Sequence, residues 1–540
     1  MRRKIIITLF MLILTAAYLP LSCASNKMHF NYSEPVWHQN DTLHIPVPQK
    51  TNIREFDETL NITVRRPVVN ALEFSRTTPS RDVNSLDEVP SSSWFNPRLG
   101  YKDISPQDLL EGPFKDGPPI PPLKIIEGKF SGLTPGFVVE DSRGIQYLFK
   151  FDPPDFPGIE TAADFIVNRL FWGFGYNVPE DYLFHFNRSQ LSIDRQSGLT
   201  AEYVDSIFNH VAPPDKGTYR CTASKMLKGI ILGPFPSEGV REDDPNDRIK
   251  HENRRILRGL KVFGAFTNYT DLRIENTLDI YVGDRDDGYV KHYLLDFGGS
   301  LGAFSADKSR LWGGANHLFS FKEMTKNLLT AGLVVEDWEK LEYTPWKSVG
   351  AFEADKFKPE NWKETYPFTP IHQSQPTDDY WAAKILGALN KDHLQILVNA
   401  ADFPEDDAAE YVLNTLLKRR SKTLRYFLTR VSPLEPTSLS DGELHVKDMS
   451  KLLLGEEFNT VSYKIKFSDA HGNKLDEMEI INNSEKEFSI PVVNSIFKAG
   501  QSYLRISIRS FWKEKPAPTS AQIHLIKKQN EAIVVAGVIH

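Results

Sequence analysis

The chain has only two cysteines in its 540 residues, Cys23 and Cys221. If a leader ends at Cys23, one thiol remains. A single thiol cannot form an internal disulfide, so the body must be held by its hydrophobic cores. A strong charge of either sign is also missing. Lys and Arg total 64 against 71 Asp and Glu, a net −7, which offers no basic face to nucleic acid or to anionic lipid. Only one hydrophobic run, residues 5–22, approaches membrane-spanning length. No internal repeat is present. What the chain does have is 40% hydrophobic and 11% aromatic residues, which excludes global disorder. Its length predicts about three or four domains.

The first residues carry an address. Met1-Arg2-Arg3-Lys4 is a basic n-region before the uncharged run, and basic residues do not follow soon after. That pattern keeps the N-terminus inside and sends the body across a membrane. Cys23 stands where a bacterial lipoprotein signal places its acylated cysteine. Pro20-Leu21-Ser22 before it resembles a lipobox, with Pro20 in the usual aliphatic position. The expectation is an exported, membrane-anchored lipoprotein on the periplasmic or cell-surface side, lipidated at Cys23, with simple cleavage as the alternative.

Composition then divides the chain. Residues 1–23 read as the signal, and 24–110 as a tether leading into an irregular Pro-, Ser- and Asn-rich segment whose Trp and Phe residues pack on the body. Gly117-Pro118-Pro119-Ile120-Pro121-Pro122 punctuates a boundary. A β-rich unit is predicted over 111–235 and a mainly helical one over 236–432. An all-β, sandwich-like module follows over 433–540. Within these, 145–151 alternates as a strand with Tyr147, Phe149 and Phe151 on one side. Helical spacing marks 159–173, 247–267, 379–399 and 405–430. The acidic loop 239–247 reads as solvated. His251-Glu252 lacks the second histidine of a zinc-protease helix, and predicts ion pairs with Arg254 and Arg255 on a helix face.

The strongest signal is Asn268-Tyr269-Thr270-Asp271-Leu272-Arg273-Ile274-Glu275-Asn276, followed by Tyr293-Leu294-Leu295-Asp296-Phe297-Gly298. Strand 277–282, turn 283–288 and strand 289–295 make a hairpin, so antiparallel pairing returns Asp296 to the end where Asn276 begins. Asp271 arrives there one short loop upstream. Two metal-capable oxygens and a carboxylate base thus converge, as magnesium-assisted phosphoryl transfer requires. The bland alternative is that Asp271 and Asn276 are turn residues.

Asp271-x-x-x-x-Asn276 and Asp296-Phe297-Gly298 resemble the catalytic loop and the Asp-Phe-Gly of the protein-kinase-like superfamily. Asp-Leu-Arg-Ile-Glu-Asn is similar to its Asp-Leu-Lys-Pro-Glu-Asn, with Arg273 in place of the loop lysine. Ser131-Gly132-Leu133-Thr134-Pro135, followed by a strand ending in Lys150, resembles the phosphate loop and strand of HipA-type serine kinases. The resemblance covers roughly 123–430. It implies a two-lobed α+β fold, with Asp271 as base and Arg273 beside it in the catalytic set. Asn276 and Asp296 would be Mg2+ ligands. Ser131, Gly132 and Lys150 would hold ATP phosphates, with Glu160 orienting Lys150.

The chain departs from the family in places. Gly136 stands where the loop lysine belongs, and Gly128, Gly132 and Gly136 do not make a strict glycine-rich motif. Tyr269 replaces the usual histidine, and Asp164, one turn after Glu160, could serve in its stead. The expected activity is ATP- and Mg2+-dependent phosphotransfer to a hydroxyl of a protein or small molecule, with no nucleic-acid partner. The alternatives are an exported binding module on a catalytically silent scaffold, and transfer of a different group from the same nucleotide site.

Overall fold

The computed structural model describes residues 33–51, 65, 78–129, 134–285, 287–304, 311–318, 321–330, 333–483, 485–492, 497, 501–529 and 532–540. The signal, Cys23, Ser131 and Gly132 lie outside them. The protein is a mixed α+β chain with several separate sheets.

Strands β1 (Leu123–Gly128), β2 (Gly136–Glu140), β3 (Gln146–Lys150), β4 (Asp181–Asn187), β5 (Leu191–Ile193) and β6 (Thr218–Lys225) form one sheet, in the order β4-β6-β3-β2-β1-β5. The alternation in β3 buries Tyr147 and Phe149, which join Phe137, Phe186 and Val204 in one apolar cluster. Helix α1 (Ile159–Gly173) follows β3 and is buried along nearly its whole length. Its first turn is held by Asp152, whose carboxylate accepts from the amides of Glu160 (2.8 Å) and Thr161 (2.9 Å). That satisfies helix-start donors that no preceding turn can reach.

A second, three-stranded sheet joins β7 (Ile230–Gly233), β8 (Thr277–Asp284) and β9 (Asp287–Leu294). The β8–β9 ladder extends further into the turn than the sequence suggested, pairing Asp284 with Asp287. The later part of 33–51, read as part of a tether, lies against this sheet, while Trp37, Gln39 and Asp41 bond to residues 91–93. Ile45 packs with Leu232, Tyr281 and Val290, and the Thr51 amide donates to the Leu232 carbonyl.

The stretch 247–267 is not one helix. It breaks into short turns at His251–Asn253 and Arg255–Arg258 before helix α2 (Leu260–Thr267). The break has a polar cause. Asp247 takes His251 Nε2 at 2.7 Å and Arg254 at 2.6 Å, while Asp82 accepts from the Arg255 amide at 2.6 Å. These ties hold Arg254 extended (φ −94°, ψ 122°). The expected helix-face pairing with Glu252 is replaced by these buried bonds. The loop 239–247 is likewise not a solvated run: Arg241, Asp244, Asn246 and Asp247 are buried, with Arg241 paired to Asp279 at 3.1 Å.

Helix α3 (Pro376–Ala388) and helix α4 (Lys391–Ala400) replace the single helix predicted over 379–399. The Asn390 side chain caps the second of them by accepting from the His393 amide at 3.0 Å. Helix α5 (Ala408–Leu428) completes the apolar body, into which Trp94, Phe95 and Leu99 of the irregular N-terminal segment also insert. Beyond it, strands of a three-stranded and a six-stranded sheet share one cluster, including Val446, Ile490, Ile465 and Ile506. Among the described residues, no helix is long and apolar enough to cross a membrane.

Candidate active site

Lys150 ends β3, where its long side chain can leave the sheet and reach toward the β8–β9 hairpin. Its Nζ donates to Asp296 Oδ1 at 3.0 Å and lies 3.4 Å from Asp164 Oδ2 of α1. Burial by itself would depress the ammonium, but Asp164, Asp296 and Asp181 outweigh it and hold Lys150 charged well above the usual lysine range. Asp164 also accepts from the Phe297 amide at 3.0 Å through Oδ1. One carboxylate therefore ties α1 to the sheet lysine and to the residue after Asp296.

The hairpin delivers the other groups. Thr277 pairs with Leu294 at its open end, and the Leu295 amide donates to the Asn276 carbonyl at 2.9 Å. Asn276 and Asp296 therefore leave the ladder side by side. Asp296 adopts a left-handed backbone (φ 57°), a conformation that Asp tolerates better than most residues. Lys150, first, pulls the Asp296 carboxylate below its usual range, and half of that side chain's surface stays open. Phe297 is fully buried against Phe171 and Tyr269, with ring centroids at 5.0 and 5.3 Å.

Asp271 faces the same end. Asn276 Nδ2 donates to its backbone carbonyl at 2.7 Å and to its carboxylate at 3.0 Å, and Arg273 Nε lies 3.2 Å from the other oxygen. Burial raises the Asp271 pKa to about 6, with Asp296 adding to the rise and Arg273 opposing it. At neutral pH it is mostly a carboxylate, poised to take a proton. Tyr269, where a kinase histidine was expected, is buried and donates its hydroxyl to the Leu295 carbonyl at 2.9 Å. It braces the hairpin end from below.

No family model matches the chain, and neither does any curated protein. One solved structure it is similar to is a Helicobacter pylori proinflammatory kinase, CtkA. The identity is 12%, the TM-score 0.31, and the match covers 57% of this chain and 98% of that one. At that score the likeness carries no weight here, and the residues themselves must.

Of the residues singled out in the sequence, Lys150, Asp164, Asp271, Arg273, Asn276 and Asp296 converge. Glu160 does not meet Lys150. Its carboxylate accepts from the Thr134 hydroxyl at 3.1 Å, and burial, then Asp152 and Asp296, raise its pKa to about 8. The partner of Lys150 on this helix is thus Asp164. Gly136 is required by packing, because a Cβ there would sit 2.2 Å from the Phe149 carbonyl oxygen.

A lysine that the sequence reading passed over does turn inward. Lys129, at the other end of the β1–β2 loop, donates to the Thr134 carbonyl at 2.6 Å and is half-buried in the field of Asp296, Lys150 and Glu160. Its position two residues before Ser131 was the available signal. A cavity of about 400 Å3 lies elsewhere, lined by Asn268, Trp362 and Arg419 among others.

Proposed function

We propose that the chain is a kinase-like phosphotransferase that uses ATP and Mg2+ to phosphorylate a hydroxyl. The observation that carries this is the Lys150–Asp296 pair. A largely enclosed sheet lysine, its side chain 12% exposed, crosses to a half-open carboxylate at a hairpin end, beside a second carboxylate, Asp271, whose pKa suits a base. In this reading the six-stranded sheet and α1 are the small lobe of a two-lobed fold over 111–432, and the β-rich 433–540 is a sandwich-like module.

The donors present suit the cofactors. Asp296 offers carboxylate oxygen, and Asn276, its amide nitrogen committed to Asp271, offers its amide oxygen; magnesium prefers such hard ligands. Asp164 Oδ2 is buried without a hydrogen bond and lies 3.4 Å from the Lys150 ammonium, which it helps to position. Asn276 and Asp296 would hold the metal, and Lys150, with Lys129 as a second cation, the nucleotide phosphates. When bound, the metal neutralises charge on the transferring group.

The protein's share is positioning and proton transfer. Asn276 holds one carboxylate oxygen of Asp271 and the Arg273 guanidinium lies beside the other, so the carboxylate can be aimed at an acceptor hydroxyl whose proton it takes as the new P–O bond forms. Ser131 and Gly132 belong to this proposal as phosphate-loop residues. The N-terminal run and Cys23 support placing the reaction outside the cytoplasm on a lipid anchor, with a protein or small-molecule acceptor.

The test is thermal stability of the full chain titrated with ATP and Mg2+, beside Asp296→Ala. The expected result is a rise in Tm that needs magnesium and vanishes in the variant. No shift at millimolar ATP would leave the binding-module alternative.

A further inference from the structure

A second cluster with ligand chemistry lies behind the base. His317, Glu364 and His372 each bring one donor atom to within 4.8 Å of the other two. They are 47 and 8 residues apart in sequence, so only the fold assembles them. We propose that these three residues form a divalent transition-metal site of the zinc class, which staples segment 311–318 to the backbone of the catalytic loop. The site does not depend on the phosphotransfer reading.

The donor set is two imidazoles and a carboxylate, which suits zinc and is unlike the all-oxygen pair Asn276–Asp296. Supporting contacts are already in place. His317 directs Nδ1 to the Glu364 carbonyl at 2.8 Å, leaving Nε2 for an ion, as metal-binding histidines commonly do. Glu364 is buried, and its Oε1 accepts from the Phe368 amide at 2.9 Å and meets His372 Nε2 at 2.8 Å. An ion would replace the proton in that last contact.

A tetrahedral ion at about 2.0–2.1 Å from N and O donors spaces them roughly 3.3–3.5 Å apart. The His372–Glu364 pair, now at 2.8 Å, must therefore open slightly to admit an ion. The His372 side chain is 39% exposed, so a metal can reach the cluster and water can complete its coordination.

What the ion would hold is set by a short ladder of backbone bonds. The Lys363 amide donates to the Gly314 carbonyl (3.0 Å), the Leu318 amide to the Thr365 carbonyl (2.8 Å), and the Thr365 amide to the Thr270 carbonyl (2.7 Å). Thr270 immediately precedes Asp271. Gly314 fits this crowded place only without a side chain, since its Cβ would lie 2.2 Å from Asn268 Oδ1. Metal at Glu364 and His317 would thus lock segment 311–318 to the middle strand, whose Thr365 amide in turn holds the loop that carries the base.

The experiment uses the full chain in detergent, treated with chelator and then titrated with ZnCl2 by calorimetry. Co(II) substitution reports coordination through its visible absorption, and amide exchange is followed at Leu318 and Thr365. Wild type should take up one zinc per chain, and slow exchange at both amides. His372→Ala, at a side chain open enough to preserve the fold, should bind about tenfold or more weakly. His471→Ala, on a remote exposed turn, should bind like wild type. No uptake at equimolar zinc, or equal uptake by His372→Ala, would overturn the metal site. Uptake without slowed exchange would overturn the staple.

Discussion

At the scale of single residues, the structure selects between carboxylates that one helix face presents together. Glu160 and Asp164 are one turn apart, so periodicity alone left both open. The geometry gives Lys150 to Asp164, and leaves Glu160 with Thr134. Asp164→Asn removes the ion pair at 3.4 Å that positions Lys150, and should therefore weaken magnesium-dependent ATP binding severalfold. Glu160→Gln should change it little, because that group is already protonated at neutral pH. Calorimetric titration of both variants separates them, and equal losses would refute the assignment of Asp164. Tyr269→Phe deletes only the hydroxyl bonded to the Leu295 carbonyl. It should lower stability by about 1 kcal/mol in urea unfolding, while leaving the base in place.

At the scale of elements, what was legible depended on how local the determinant is. The β8–β9 hairpin was readable because its register follows from strand length and turn position, which bring Asn276 and Asp296 to the same end. Helix α1 was readable from its apolar spacing. The stretch 247–267 was not, because Asp247 and Asp82 capture its side chains and amides from outside the segment. The same contacts bury the charged loop 239–247, whose composition resembles a solvated turn. The β1–β2 turn carries its own test. Gly136→Ala would press a methyl group on the Phe149 carbonyl oxygen and should destabilise the fold by about 1–3 kcal/mol. A thermal midpoint unchanged from wild type would show that the loop can move aside.

At the scale of the molecule, the last strand is tied to the N-terminal segment. The Val538 amide donates to the Ser85 carbonyl at 2.8 Å, and His540 meets Asp87 at 3.0 Å and the Leu434 carbonyl at 3.0 Å. Asp87 also pairs with Arg255 at 2.6 Å, and Arg255 continues to Asp378 of α3 at 3.0 Å. Burial works to raise the Asp87 pKa, but Arg255 and His540 outweigh it and bring it down to about 2.

A folded-state value below the unfolded one means that the pair's stabilisation is present above about pH 4 and lost as pH falls toward 2. It amounts to about 2 kcal/mol. Asp87→Asn should flatten the acid limb of the stability curve in that window. Calorimetry of the wild type should show the C-terminal sheets and the body unfolding in one transition, and His540→Ala should begin to separate them.

The sequence by itself determined whatever short-range chemistry specifies. That includes a mixed α+β chain, the hairpin that brings Asn276 and Asp296 to one end, the approach of Asp271, and the strand that ends at Lys150. Tertiary structure decided which distant groups meet: Lys150 with Asp164 rather than Glu160, and His317 beside Glu364 and His372. The physical reason is range. Backbone register and side-chain periodicity act over a few residues and leave their pattern in the order of the chain. A buried charge instead takes its partner from whichever segment packing brings within a few ångströms, and no spacing in the sequence encodes that neighbour.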